Sequence, residues 1–179
     1  MSVKEDQIIR ELSHYLHEHP GDQMALMPVY DAALDHSRRQ ACTHDQRCPL
    51  VMTAAVVVDE RDRVLCLRHQ GGYALAEAEP EDQDDSLSEA ALRLLVEEVG
   101  IRDVWTQPGN EGPFLVDVTP ASQHAYGPRL RVGIRYLFRA HASAVRSSVL
   151  EAGAAAWVPL SEVSMPPLRG RLESLLIGT

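Results

Sequence analysis

Three cysteines, two phenylalanines and two tryptophans are all that this chain of 179 residues holds of those types. An odd, small number of cysteines in a chain of this size makes no disulfide framework, so covalent staples are not what would hold it together, and the thiols are expected to be reduced. No run approaches the ~18 consecutive apolar residues of a membrane span, and the start MSVKEDQIIREL has no basic segment followed by an apolar one. The expectation is therefore a cytoplasmic chain with no membrane partner. Positive charge is also scarce: 17 Lys and Arg against 26 Asp and Glu leave a net charge of −9. Phosphate neutralisation needs a basic surface, so the composition argues for no nucleic-acid partner.

What the chain does have is an ordinary globular balance, 45% apolar and 24% charged, and enough length for a real core. Between Asp6 and Leu16 the residues Ile8, Ile9, Leu12, Tyr15 and Leu16 recur at helical spacing until Pro20-Gly21 breaks them. A second helix is expected from Asp22, its cap, to Leu34, with Pro28 placed to kink or divide it. The charged stretch from His36 to Pro49 reads as a connector, giving a helical arm over 1–48 and a main domain over 49–179. In that domain Val51–Val58 and Val64–Leu67 flank the turn Asp59-Glu60-Arg61-Asp62 as a hairpin. Ser86-x-x-Glu89 is a capping-box pattern that opens a helix from about Leu87 to Val99, ended by Gly100. Strands are expected at Phe114–Val118, Leu130–Arg139 and Ala155–Val158, and a closing helix near Leu168–Ile177. This order spells α/β or α+β.

The helix within AALRLLVEEVGI carries the chemistry. Leu87, Ala91, Leu94 and Glu98 share a face that is apolar until the carboxylate. A buried carboxylate demands a cation, whether a metal, an arginine or a charged ligand. Glu97 stands four residues after Arg93 and can pair with it. Along the strand from Arg129, alternation puts Arg129, Arg131, Gly133 and Arg135 on one face, which must meet solvent, the Glu97/Glu98 helix end or an anionic ligand.

The segment resembles the Nudix box, G-x(5)-E-x(7)-R-E-U-x-E-E-x-G-U, in Arg93, Leu95, Glu97, Glu98, Gly100 and Ile101. The preceding hairpin, Tyr73, Glu79-Pro80, SLSEAALR and the late segments RVGIRYLFRA and AAAWVPLSEV are also similar to members of that superfamily, and the two-helix arm to that of some bacterial members. The resemblance runs from about Val51 to the C-terminus. It implies an α/β/α sandwich around a mixed central sheet, with the N-terminal helical arm, and a loop and helix that hold Mg²⁺ or Mn²⁺ against a diphosphate. Three departures stand out, one of them Arg129, Arg131 and Gly133 on the late strand, where related sequences often place histidines and an Asp. Leu94 replaces a carboxylate of the box, and Leu75-Ala76-Glu77 stands where a Pro-Gly-Gly turn is common. Glu79, Asp82, Asp84 and Asp85 offer substitute ligands, or simply make an acidic solvated loop.

Three readings follow. The first is an enzyme with an eroded metal site that acts on a small anionic metabolite by acid/base chemistry that need not involve a metal. Glu97, Glu98, His69 and His124 would carry protons, and Arg129, Arg131, Arg93 and Tyr73 would hold the substrate. The second is a Mg²⁺- or Mn²⁺-dependent hydrolase of a nucleoside-diphosphate-type substrate, with Glu97 and Glu98 as metal ligands. The third is a non-catalytic ligand-binding protein, whose arm offers Met24, Met27 and Tyr30 for a homodimer contact. Cys42, His44 and Cys48 make a loose thiol-imidazole group without the second half of a zinc site.

Overall fold

The computed structural model describes residues 5–39, 49–121 and 130–177. Cys42, His44, Cys48, His124 and Arg129 lie outside the described residues. The elements run α1 (Glu5–Glu18), α2 (Gln23–Arg39), β1 (Leu50–Val58), β2 (Arg63–His69), β3 (Gly72–Ala74), β4 (Glu77–Ala78), α3 (Leu87–Val99), β5 (Leu115–Pro120), β6 (Leu130–Arg139), α4 (Ser147–Glu151), β7 (Ala155–Pro159) and α5 (Pro166–Ile177). The strands make a seven-stranded sheet in the order β3-β2-β1-β6-β5, with β4 beside β1 and β7 beside β2. The expected α/β architecture with N-terminal helices is present. No described helix is long and apolar enough to cross a membrane.

The described chain divides into two compact units. The first holds 5–39, 49–54, 77–91, 112–121 and 130–136. In it α1 and α2 pack on each other and on β5. Ile8, Leu12 and Tyr15 of α1 and Leu26 and Val29 of α2 are buried, each such side chain contributing roughly 1.5–3 kcal/mol. Gly112 lies so close to α1 that a Cβ there would sit 2.6 Å from His14 Nδ1. Pro28 does not divide α2. The carbonyl deprived of its partner belongs to Met24, which is 90% exposed, so water can serve it. Asp22 closes a short 3₁₀ turn instead of simply capping α2, and its carboxylate accepts the Tyr15 hydroxyl at 2.6 Å. Met24 therefore faces solvent while Leu26 and Val29 make the packed face.

The second unit holds 55–76, 92–111 and 137–177. There β2 pairs antiparallel with β7 from Arg63↔Pro159 to Leu67↔Ala155 and with β3 from Leu67↔Ala74 to His69↔Gly72. Asp59 explains the β1–β2 turn. Its Oδ1 accepts the backbone N–H groups of Arg61 and Arg63, its Oδ2 the Arg63 guanidinium, and Asp62 takes the left-handed conformation at φ 57°.

α3 begins and ends where its sequence signals stand. The Ser86 hydroxyl accepts the Glu89 N–H at 3.1 Å, and the Glu89 carboxylate reaches back to the Asp85 N–H at 2.8 Å. At the far end Gly100, φ 62°, lets its own N–H reach Val96 O and that of Ile101 reach Leu95 O, a left-handed cap. The buried strip of α3 is Leu87, Ala90, Ala91, Leu95 and Val99, recurring at three- and four-residue spacing along one face. The expected face through Leu94 and Glu98 is displaced from it: Leu94 is half-buried and Glu98 is exposed. Burial therefore places no demand for a cation on Glu98.

Candidate functional site: an arginine and carboxylate cluster on β4, β5 and β6

In the first unit, β6 presents Arg131, Gly133 and Arg135 in alternation. β5 lies beside it with Thr119 opposite Arg131, Asp117 opposite Gly133 and Leu115 opposite Arg135. Gly133 leaves a notch in this row. A Cβ at that position would lie 2.5 Å from Asp117 Oδ1 and 2.6 Å from Arg135 Nη1, so the missing side chain is what lets the guanidinium fold back onto the carboxylate. From the other side comes Glu77 of β4, set by the pairing of Ala54 with Glu77 and Thr53 with Ala78. The buried Thr53 hydroxyl pins that pairing by donating to Ala78 O at 3.1 Å.

The result is a four-membered network. Arg135 Nη1 donates to Asp117 Oδ1 and Arg135 Nη2 to Glu77 Oε1, the latter at 2.9 Å, while Arg131 Nη2 donates to Glu77 Oε2. Glu77 thus bridges both arginines, one oxygen to each. Arg135 is 3% exposed and Arg131 36%, so the cluster runs from a buried floor to an open rim. Burial pulls the Arg135 pKa below its ordinary value, and the Glu77 carboxylate opposes that shift. Two positive and two negative charges balance, which is how a buried guanidinium is tolerated. Its Nε is nonetheless one of two buried side-chain polar atoms without a hydrogen-bond partner among the described residues, the other being the Tyr136 hydroxyl. Burial also raises the pKa of that hydroxyl.

The residues singled out from sequence fall in several places. Arg131 is in the network. Glu97 and Glu98 are exposed on the last turn of α3, with Arg93 Nη1 3.9 Å from Glu97. The cation nearest the α3 cap is Arg146, whose guanidinium would stand 2.9 Å from a Cβ at Gly100, where a positive charge complements the helix carbonyl end. His69 is exposed at the end of β2. Tyr73 is engaged, its hydroxyl donating to Gly153 O at 3.3 Å and its ring 5.8 Å from the Arg68 guanidinium. Among the described residues no group of three or more His, Cys, Asp or Glu is arranged to hold a metal ion. In the acidic loop, Asp84 turns inward and accepts the Glu81 N–H at 2.6 Å.

Sequence reasoning passed over Glu77 and Asp117 as site residues. Asp117 faces the Arg131-x-Gly-x-Arg135 pattern, but only the register of β5 on β6 reveals it. Glu77 depends on β4 pairing with a strand more than twenty residues earlier, which has no local signal.

No family model matches the chain, and no curated protein does. Solved structures are similar to it. NrtR of Shewanella oneidensis shares 17% identity over 72% of this chain and 63% of its own, with a TM-score of 0.48. Ap4A hydrolase of C. elegans shares 11% over 73% of this chain and 98% of its own, at 0.46. A UDP-X diphosphatase shares 13% over 97% of this chain and 92% of its own, at 0.46. The chain thus spans less than two thirds of NrtR. These are Nudix-type structures, the superfamily that the sequence resembles, and likeness at this level concerns the course of the chain rather than its substrate. NrtR has also been solved with a 27mer DNA. The exclusion of a nucleic-acid partner is accordingly withdrawn. Net charge sums a whole surface, whereas recognition depends on the charge of one face.

Proposed function

We propose that this chain is a Nudix-like protein that binds a small anionic metabolite, of the phosphate or diphosphate class, at Arg131 and Arg135, and acts on it by acid/base chemistry without a divalent ion. The single observation that carries the reading is Glu77 bridging the two arginines. A carboxylate already satisfies a fork that suits carboxylate and phosphate alike. An incoming phosphate would take the place of Glu77 on Arg131 at the open rim, while Arg135 stays anchored by Asp117. Glu77 Oε2, freed from Arg131 while Oε1 stays on Arg135, is then a base beside the bound ligand. Glu97, Glu98 and His69 are the further proton carriers we propose.

The donor set supports the absence of a metal step. Divalent cations of the Mg²⁺ class need several oxygen ligands. Leu94 supplies none, Glu77 is committed to two arginines, Glu97 lies 3.9 Å from Arg93, and among the described residues no third metal-ligating side chain joins Glu97 and Glu98 at their solvated helix end. These residues do not fit Mg²⁺ or Mn²⁺.

One observation favours the second reading, a metal-dependent hydrolase of nucleoside diphosphates: α3 carries Arg93, Glu97 and Glu98 and ends on Gly100 in the conformation only glycine adopts freely. Incubating the protein with a panel of phosphate esters and diphosphates, with chelator or with Mn²⁺, separates the two. The proposal expects product release that persists in chelator and is lost in Arg131→Gln. Release that requires Mn²⁺ and disappears in Glu98→Gln would establish the second reading instead.

A further inference from the structure

A different cavity, in the second unit, has no part in the cluster. It measures about 210 Å³ and is lined by Val58, Asp59, Glu60, Trp105, Gln107, Arg139, Ala140 and His141. Its two main walls are set by backbone geometry. Trp105 and Arg139 form an isolated antiparallel bridge and exchange both hydrogen bonds, Trp105 N to Arg139 O at 2.9 Å and Arg139 N to Trp105 O at 2.8 Å. Directly opposed residues project to the same side of a ribbon, so both side chains leave it on one face, and both line the cavity. The indole is 44% exposed although it is among the largest apolar surfaces of the chain. His141 leans on it with ring centroids 5.2 Å apart and the planes tilted by 52°.

The hydrogen-bonding capacity around this cavity is unevenly spent. Arg139 uses Nη1 alone, donating to Asp59 O and to Asp62 Oδ1, both at 3.2 Å. Its Nε and Nη2, the two in-plane donors of its other edge, have no partner among the described residues. The same holds for the Trp105 indole N–H and the Gln107 side-chain amide. Two of the acceptor groups, by contrast, are engaged. Asp59 is satisfied by Arg63 and two backbone N–H groups, and Glu60 Oε2 receives the Ala142 N–H at 2.8 Å. The wall is thus an aromatic face beside a donor edge. Arg139 and Arg63 are already balanced by Asp62 and Asp59, and the Glu60 carboxylate stands at the rim, so a further negative charge gains little there. A flat, uncharged ring with two adjacent acceptors fits better.

We propose that this cavity binds a 6-oxopurine base, stacked on Trp105 and read at its O6/N7 edge by Nε and Nη2 of Arg139. An arginine fork on O6 and N7 is the matched contact for that edge, whereas a 6-aminopurine turns a donor against it. Stacking on an aromatic face accepts any base and supplies the common part of the affinity. The base could arrive as a free nucleoside or nucleotide, or within a single strand.

Inosine and adenosine differ at the 6-position and carry no phosphate, so neither engages the arginine and carboxylate cluster through charge. With the full chain labelled for NMR, the indole N–H signals of Trp105 and Trp157 are resolved by Trp105→Leu and followed during titration. The Trp157 indole donates to Ala142 O at 3.3 Å and serves as the internal reference. The expected result is a saturating shift of the Trp105 signal with inosine, binding about tenfold weaker with adenosine, and, read on the backbone amide signals of Gln107 and His141, loss of binding in Trp105→Leu. Arg139→Lys keeps a charge for Asp62 but not the fork, and is expected to bind the two nucleosides alike. A single-stranded oligonucleotide with one inosine among thymidines gives the source: tighter binding than free inosine assigns the site to a base in a strand, equal binding to the free nucleoside. Equal shifts with inosine and adenosine in the wild-type chain, or unaltered inosine binding in Trp105→Leu, would overturn the proposal.

Discussion

Replacing Glu77 with Gln isolates the charge that bridges the two arginines while keeping the shape of the side chain. In the wild-type chain its oxygens accept from Arg131 and from the nearly inaccessible Arg135, so the substitution leaves a buried guanidinium with Asp117 as its one remaining anionic partner. Breaking a fully buried pair costs about 3–5 kcal/mol, and breaking an exposed one about 0–1 kcal/mol. Glu77 is 23% exposed and Arg131 36%, which places the loss between these limits, at about 2 kcal/mol. For a chain of this length that is a fall in Tm of about 4–8 °C by differential scanning calorimetry. A second readout has the opposite sign. Inorganic pyrophosphate, no longer competing with an internal carboxylate, is expected to bind Glu77→Gln about tenfold more tightly than wild type. An unchanged Tm, or weaker pyrophosphate binding by the variant, would refute the reasoning.

Other substitutions test the supports of the site. Gly133→Ala drives a methyl group into Asp117 and Arg135 and should cost about 1–3 kcal/mol in urea unfolding, together with loss of anion binding. Gly100→Ala forces a side chain into the left-handed region at φ 62° and should cost about 1–2 kcal/mol. Burial pushes the Cys66 thiol from its ordinary 9.0 up to about 11, so the folded chain holds that proton where the unfolded chain releases it. Stability from this group is complete below pH 9 and is lost as pH rises through 11, in total about 2–3 kcal/mol. Cys66→Val should flatten that alkaline slope in urea titrations at successive pH values; an unchanged slope would dismiss the thiol as its cause.

Much of the fold was legible where local chemistry and tertiary packing agree. The Ser86–Glu89 pair and Gly100 bound α3 at Leu87–Val99, and the period-two apolar pattern of β6 gave Leu130–Arg139 without error. Asp59 to Asp62 similarly announced the β1–β2 turn. The site was less legible. Taking Leu94 and Glu98 with Leu87 as the inward face of α3 misjudged its rotation, because candidate faces one residue apart both read as apolar until packing chooses Leu95 and Val99. The alternation on β6 revealed a row of arginines, but the anions that meet them come from β4 and β5. Pairing between distant strands is fixed by the sheet as a whole and leaves no trace within a short window. Trp105 is silent for the same reason: nothing in its neighbours marks a bridge to Arg139 that leaves the ring half-exposed.

The claim on which the functional reading turns is that the cluster grips anions by guanidinium groups alone. Calorimetric titration of inorganic pyrophosphate into chelator-treated protein tests this most directly. The account expects saturable binding that Arg131→Gln abolishes. Binding that is absent in chelator and restored by Mn²⁺ would contradict it.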